Sequence, residues 1–185
     1  MAQQFAKLEA KHRTFIERQH VFFTASAAAG ARINLSPRST QSLRIVDDNA
    51  VIYLDHTGSG NETAAHMKAD GRLTIMMCSF AGPPLIMRLY GRGTILHRDS
   101  AAFRQPLREW FNNEAPLGAR QIVRLDFDLV QTSCGFGVPK MDYVAERDNL
   151  QRWAENKGED GIRDWWREQN QTSIDGLPTG ILSDQ

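Results

Sequence analysis

Short runs of strand-forming residues, separated by turn residues, are the feature that most constrains this fold. HVFFTAS (20–26) and ARINLSP (31–37) flank the small-residue segment AAAG, and SLRIV and AVIYLD flank Asp47-Asp48-Asn49. Small residues, Asn and Asp favour tight turns, so each pair predicts an antiparallel hairpin. Three further strands are predicted over 72–80, 85–98 and 119–133.

Other segments have helical rather than alternating periodicity, or are rich in helix formers. They are 5–18, a short stretch between Asp55 and Leu73, 99–111, and two short helices after Val144 that carry Trp153, Trp165 and Trp166. Hairpins that are interrupted and followed by helices indicate an α+β fold built on a small antiparallel barrel of about six strands.

Composition predicts one domain and limits the partners. The 185 residues are 41% hydrophobic, which is enough to fill a single core at this length. Lys and Arg total 22 against 22 Asp and Glu, so the chain lacks the basic excess typical of nucleic-acid binding, and no nucleic-acid partner is expected. No apolar run approaches the roughly 20 residues of a membrane helix, so no membrane partner is expected either.

The first residues and the cysteines favour a cytoplasmic location. MAQQFAKLEAKHRTF is charged and lacks the apolar core of a secretory signal. The two cysteines have no CxxC spacing and are expected to be reduced thiols. The five histidines match no metal-ligand spacing, so no metal site is predicted.

The stretch YLDHTGSGNETAAHMK (53–68) contains the most informative motif. Ser59 and Glu62 have the S-x-x-E spacing of a capping box, which is a purely structural device. Gly58 and Gly60 flank Ser59 and leave the N–H groups at the helix start unscreened, and such donors attract phosphate. The residues alone therefore leave two interpretations, a helix cap and an anion site.

The order of these pieces resembles a known family. FFTAS, ARINLSPRS, VIYLDHTGSGNETAAHM and GRLTIMMCSFAGPPLIMRLYGRGTIL together resemble the pyridoxamine 5'-phosphate oxidase-like flavoproteins of the FMN-binding split-barrel superfamily. The resemblance implies a Greek-key split barrel and a homodimer with one FMN at each subunit interface. The expected single domain 1–185 then comprises an N-terminal helix (1–19), the split barrel (20–135) and a C-terminal helical extension (136–185).

The resemblance also implies a set of cofactor-binding residues. Arg32 corresponds to an Arg that faces the phosphate, with Asn34 and Ser36 on the same face of the strand. Tyr53 and Leu54 correspond to the strand end beside the flavin ring, and Ser59 to the Ser of the phosphate turn. The predicted cofactor-binding set is completed by Gly60, Asn61 and Arg88. An ordinary surface cation is the alternative for Arg32.

The sequence departs from the family at the phosphate turn. Where the vitamin B6 oxidases have an Arg-Lys pair, this chain has Gly60-Asn61, which removes two cationic donors. Arg38, Arg88 and Arg92 are the candidates to replace them. Arg88 and Arg92 share one strand face. Three surroundings are possible for that face: solvent, the cofactor site or the dimer partner.

The predicted function is that of an FMN-dependent oxidoreductase acting on an unidentified small molecule. The C-terminal part lacks the Arg-rich segment that grips B6 phosphates in the authentic oxidase, and no catalytic residue is assigned. The alternatives are a non-catalytic flavin- or haem-binding module, a protein that binds a deazaflavin instead of FMN, and a cofactor-free split barrel that serves as an interaction protein.

Overall fold

The computed structural model describes residues 2–182. Its strands are β1 (Gln3–Phe5), β2 (Val21–Ala27), β3 (Asn34–Ser39), β4 (Leu43–Ile45), β5 (Ala50–His56), β6 (Arg72–Cys78), β7 (Ile86–His97) and β8 (Ala119–Ser133). Its helices are α1 (Ala10–Glu17), α2 (Glu62–Ala69), α3 (Ala101–Trp110) and α4 (Asn149–Gln169), and a 3-10 turn spans Thr40–Ser42.

The strands form one curled antiparallel sheet in the order β3-β2-β6-β7-β8-β5-β4, and β1 pairs with β8. The edge strands β3 and β4 are joined through the 3-10 turn and do not pair with each other. The sheet therefore stays open on one side, and the predicted α+β class is confirmed.

The N-terminal prediction was wrong in part. Residues Gln3–Phe5 form a strand, and the helix begins only at Ala10. Phe5 pairs with Val130 of β8, while the Nδ1 atom of His12 accepts from the N–H of Glu9 at 3.0 Å and fixes the helix start. The sheet has eight strands where about six were expected; β4 lies within the predicted run SLRIV, and β1 is the strand that was not predicted.

The inside of the curl is the main hydrophobic core. Phe22, Ile75, Leu89 and Leu125 are fully buried there, each from a different strand. A second cluster lies under α3, where Phe103 contacts the opposite face of β5 and β8. Burial alternates along β6, which is the period expected of a strand with one face on the core.

Two glycines of β7 mark close approaches of the backbone. A Cβ atom at Gly91 would overlap the main chain of Asp126 and Phe127, at the bulge where β7 slips against β8. A Cβ atom at Gly93 would overlap the sulfur of Met67 on α2. The two glycines of the R-L-Y-G-R-G motif are therefore required by the close packing of β7 against β8 and α2.

The chain after the barrel contains α4, which is two helical segments joined at Gly158. Gly158 has φ 68° and ψ 174°, a conformation that interrupts the helix and that glycine adopts readily. The two helices predicted for this region are thus present. None of the helices within residues 2–182 combines the length and apolar character needed to cross a membrane.

Candidate functional site

A cleft of about 1130 Å³ opens where the sheet does not close. One side is β3, and the other is the end of β5 with the loop 57–61 that follows it. Strand β4 pairs only with residues 51–53 of β5, so the last residues of β5 have no strand on that side within the described chain. Segments 111–118 and 146–155 complete the walls.

A buried carboxylate organises the floor of this cleft. Asp55, near the end of β5, is fully buried. It accepts from Nη1 of Arg38, from Nε of Arg120 at 2.9 Å and from Nε2 of Gln121 at 2.7 Å. Arg38 lies on β3, whereas Arg120 and Gln121 lie on β8. The pair of Arg38 and Asp55 therefore joins the two sides of the open sheet.

The floor carries an excess of positive charge. Arg38 and Arg120 line the cleft, while Asp55 is withdrawn from it. Burial opposes the ionisation of Asp55, but Arg120 and Arg38 outweigh burial and lower the pKa of its carboxyl to about 2. Burial also opposes the charged form of Arg38, yet Asp55 raises the pKa of that guanidinium above its ordinary value. Two cations thus face one buried anion at the floor, while the lining of the whole cleft contains four arginines and four glutamates.

The loop 57–61 is held by its carbonyl groups. The carbonyl oxygen of Gly58 accepts from Nε1 of Trp165 at 3.0 Å and from Nδ2 of Asn170 at 3.2 Å. The carbonyl oxygen of Gly60 accepts from Nη1 of Arg120 at 2.8 Å. The donors therefore come from α4, from the residue that ends it and from β8.

The N–H groups of the same loop are open. Within residues 2–182 those of Gly58, Ser59 and Gly60 donate to no acceptor, and the first N–H groups of α2 have none, as at other helix starts. These donors and the positive end of the helix dipole favour an anion at this end of the cleft. One group opposes it: Glu62 in the first turn, whose carboxylate accepts from the N–H of Ile174 at 3.1 Å.

The predicted capping box is wrong. Helix α2 begins at Glu62 after Asn61, and the side chain of Ser59 is exposed and caps nothing. The Glu62 side chain contacts the chain after α4 instead of the start of its own helix. Asn61 is buried, and its Oδ1 accepts from Gln121 at 2.8 Å. The structure therefore excludes the helix-cap interpretation, and the anion site stays a prediction.

Arg32 is not where the sequence placed it. Strand β3 begins at Asn34, so Arg32 precedes it, and its side chain pairs with Asp175. Asn34 and Ser36 do line the cleft, and the cation that continues their face is Arg38. Asn34 also donates to Oγ1 of Thr63 at 3.2 Å, which links β3 to α2.

The other predicted residues divide between the cleft and its surroundings. Leu54, Ser59 and Gly60 line it. Tyr53 lies in the core against Phe22, with ring centroids 5.4 Å apart, and its burial raises the pKa of its hydroxyl to about 12.

Arg88 does not line the cleft; it lies on β7, within 3.3 Å of Oγ of Ser133. Arg92 donates to the carbonyl oxygen of Asp70 at 2.7 Å, at the end of α2. Of the three proposed replacements for the missing Arg-Lys pair, only Arg38 is at the cleft.

Sequence reasoning missed the residues that hold the floor and the loop. Asp55 was visible as the polar end of an apolar strand, but its partners lie in distant segments that no local spacing connects. The missed residues of the floor are Arg120 and Gln121. Those that hold the loop are Trp165, Trp166 and Asn170.

Comparison with known proteins identifies the family. The model of the family described as pyridoxamine 5'-phosphate oxidase matches residues 8–134, which is more than half of the chain. The chain belongs to the pyridoxamine 5'-phosphate oxidase family. The matched region contains the cleft floor and the loop 57–61, and it ends before α4.

A family member of known description is similar over most of this chain. It is the pyridoxamine 5'-phosphate oxidase family protein ustO of Aspergillus flavus, which is 35% identical, with 90% of this chain and 73% of the relative covered. The similarity extends beyond the region matched by the family model, so it includes part of the C-terminal extension.

Solved structures share the fold at low sequence identity. HupZ from Group A Streptococcus is 15% identical with a TM-score of 0.52, over 66% of this chain and 92% of that one. A pyridoxamine 5'-phosphate oxidase-like protein from Lactobacillus delbrueckii is 15% identical with a TM-score of 0.52, over 68% and 94%. These structures confirm the predicted split barrel.

Proposed function

We propose that this protein binds FMN in the cleft and is an oxidoreductase acting on a small molecule. One observation carries the proposal. Two cations, Arg38 and Arg120, and the open N–H groups of the loop 57–61 lie together at one end of a cleft of about 1130 Å³. This donor set suits a phosphate monoester, and the cleft volume leaves room for the rest of a nucleotide-sized ligand.

The residues present fit the phosphate end of FMN. Arg38 and Arg120 supply charge that Asp55 fixes in place, and Ser59 and Gly60 supply N–H groups. Bound FMN supplies hydride or electron transfer through its ring, so the protein needs chiefly to bind and orient it. Arg38 takes the role first assigned to Arg32, and Arg120 replaces charge lost with the Arg-Lys pair. Leu54 offers an apolar surface beside them.

A homodimer is part of the proposal. Phe136 is 83% exposed and Val144 is 91% exposed, in the segment that leads from β8 to the cleft wall. Large apolar side chains exposed in one short segment favour burial against a partner. Sedimentation should give about twice 20.9 kDa, and a monomer that persists at micromolar concentration would contradict the shared site.

A cytoplasmic location is proposed as well. Cys78 and Cys134 are both free thiols, although Cys134 is exposed. Free exposed thiols persist in reducing compartments. Fractionation of cells that express the chain tests this placement.

The test of the cofactor is direct. The protein is purified, its absorption spectrum is recorded, and any released compound is identified by mass. Titration of ligand-free protein should then show FMN binding at least about tenfold tighter than riboflavin, because charged hydrogen bonds to the phosphate contribute about 1.5–3 kcal/mol. Equal affinities would reject the phosphate site. A deazaflavin spectrum would keep the site and change the cofactor, and a colourless protein that ignores every flavin would favour the cofactor-free alternative.

Haem is the second candidate, and His56 favours it. His56 lines the cleft, and burial lowers the pKa of its imidazole, so the ring is neutral at pH 7 and free to ligate a metal. A haem spectrum in the purified protein that His56→Ala abolishes would support this candidate. A flavin spectrum unchanged by His56→Ala would remove it.

A further inference from the structure

The end of α4 contacts the loop 57–61 through three side chains, each of which lies more than 100 residues further along the chain than the loop. Nε1 of Trp165 donates to the carbonyl oxygen of Gly58 at 3.0 Å, and Nδ2 of Asn170 donates to the same oxygen at 3.2 Å. Nε1 of Trp166 donates to Oγ1 of Thr57 at 2.8 Å, and that hydroxyl donates to the carbonyl oxygen of Gly118.

These bonds orient more than the carbonyl groups. The peptide unit is planar and trans, so the C=O of Gly58 and the N–H of Ser59 point in opposite directions. Holding the Gly58 oxygen against α4 therefore aims the Ser59 N–H away from α4. Arg120 does the same for the Gly60–Asn61 peptide, because its bond to the Gly60 oxygen aims the N–H of Asn61.

Asn170 connects the loop with the cleft floor. Its Oδ1 accepts from Nη1 of Arg120 at 2.9 Å, while its Nδ2 donates to Gly58. Asn170 is fully buried, and Arg120 continues the chain of bonds to Asp55. One amide side chain thus holds both the loop and the cation that were proposed to bind phosphate.

Apolar packing also holds α4. Ala154, Ile162, Trp166 and Ile181 form an apolar cluster within α4 and the chain after it, and Leu117, which precedes β8, packs against this cluster. Trp165 is only half-buried, yet its N–H is directed at the loop. The polar contacts are therefore an addition to the packing.

We propose that the end of α4 is a clamp that sets the loop 57–61 in its phosphate-binding conformation, with Trp165 and Asn170 as positioning residues. This inference rests on the proposed FMN site. It assigns a role to the C-terminal extension, which the family model does not cover. The clamp acts on the phosphate end of the ligand and leaves recognition of the ring unchanged.

The central variant is Trp165→Phe, which keeps an aromatic ring and removes the N–H. Its matched control is Trp153→Phe, because Trp153 packs against Trp165 with ring centroids 5.5 Å apart and makes no hydrogen bond to the loop. Trp165→Phe should weaken FMN about two- to tenfold, the range for one hydrogen bond, and change riboflavin affinity less than about twofold. Trp153→Phe should change neither.

Three results would overturn the clamp in a protein that prefers FMN to riboflavin. They are unchanged FMN affinity in Trp165→Phe, equal losses for FMN and riboflavin, and an equal effect of Trp153→Phe. Asn170→Ala is a second variant, which should lower FMN affinity further because it also frees Arg120. Its fold is checked by near-UV circular dichroism.

A ligand-free measurement separates failure of the clamp from failure of the proposed function. The backbone ¹⁵N order parameter at Ser59 should fall from the rigid range, about 0.85, toward about 0.6 in Trp165→Phe and stay unchanged in Trp153→Phe. If the wild type lacks any preference for FMN, the phosphate site is wrong, while a loosened loop still supports the clamp. An equally rigid loop in Trp165→Phe overturns it.

Discussion

Strand β8 carries two arginines four residues apart, and each pairs with an aspartate. Nε of Arg120 lies 2.9 Å from Asp55, and the two side chains are 5% and 0% exposed. Nη2 of Arg124 lies 2.7 Å from Asp126, and those side chains are 36% and 54% exposed. The same pair of residue types thus occurs buried at the start of one strand and solvated in its middle.

The two pairs differ in what replaces a lost partner. At the solvated pair, water takes the place of either charge, so such a pair contributes about 0–1 kcal/mol. At the buried end nothing replaces Asp55, and its loss leaves Arg38 and Arg120 without their counter-ion. The buried pair therefore fixes cations at the cleft, whereas the exposed pair leaves its cation free to exchange partners.

Removing the aspartate of each pair should give the largest difference in stability between the two pairs. Asp55→Asn should lower the free energy of unfolding by about 3–5 kcal/mol, because it leaves buried charges unpaired. Asp126→Asn should lower it by less than about 1 kcal/mol. Urea unfolding followed by circular dichroism measures both, with the slope against urea as a check that the unfolded state is unchanged. Similar losses for the two variants would remove the distinction.

Removing the cation tests whether the buried end binds the ligand. Arg38→Gln should weaken FMN by about 1.5–3 kcal/mol, which is roughly ten- to a hundredfold. Arg124→Gln, in the solvated pair, is the matched control and should leave FMN affinity unchanged. Arg32→Gln decides between the two arginines assigned to the phosphate. A large loss with Arg32→Gln and none with Arg38→Gln would restore the first assignment.

The pH dependence of stability tests the charge state of Asp55. Its pKa in the folded protein, about 2, lies below the ordinary value near 3.9. The stabilisation from this group is therefore fully present above about pH 4 and is lost as the pH falls toward about 2. Its size is on the order of 2 kcal/mol. The difference in unfolding free energy between wild type and Asp55→Asn should shrink over that range, and a constant difference would show that Asp55 is not ionised.

The smallest effect is expected at a half-buried charge beside the loop. Glu62→Gln removes a negative charge from the first turn of α2 and keeps an acceptor for Ile174. FMN affinity should rise about two- to fivefold, since one charge near a helix start is worth about 0.3–1 kcal/mol. Riboflavin serves as the control ligand and should not respond. A loss of FMN affinity would show that Glu62 supports the site.

Much of the barrel is predictable because its strands are local patterns. Alternation along 72–78 and 123–128 marks one buried face, and turn residues mark the hairpins. Strand β1 was not predicted, because a run of three residues is too short to show a period and because its partner, β8, lies far along the chain. Its pairing is decided by tertiary contact, which a local pattern does not contain.

The same limit explains the site. Asn34 and Ser36 share the cleft face as expected, because their spacing in one strand is a local property. Arg32 does not join them because the strand starts two residues later, which makes Arg38 the cation on that face. Arg120, Trp165 and Asn170 reach the loop from 60, 107 and 112 residues away. Their roles depend on the closed fold and on no motif.

The glycines of β7 bear on how related chains are sorted. Gly91 and Gly93 stand where a side chain would collide with β8 or α2, whatever the cleft contains. The motif R-L-Y-G-R-G in a homologue therefore indicates a split barrel, but it does not indicate which ligand that homologue binds. Chains that share Arg38, Asp55, Arg120 and the Trp165–Asn170 contact form the narrower set within which an activity found for one is transferable to another.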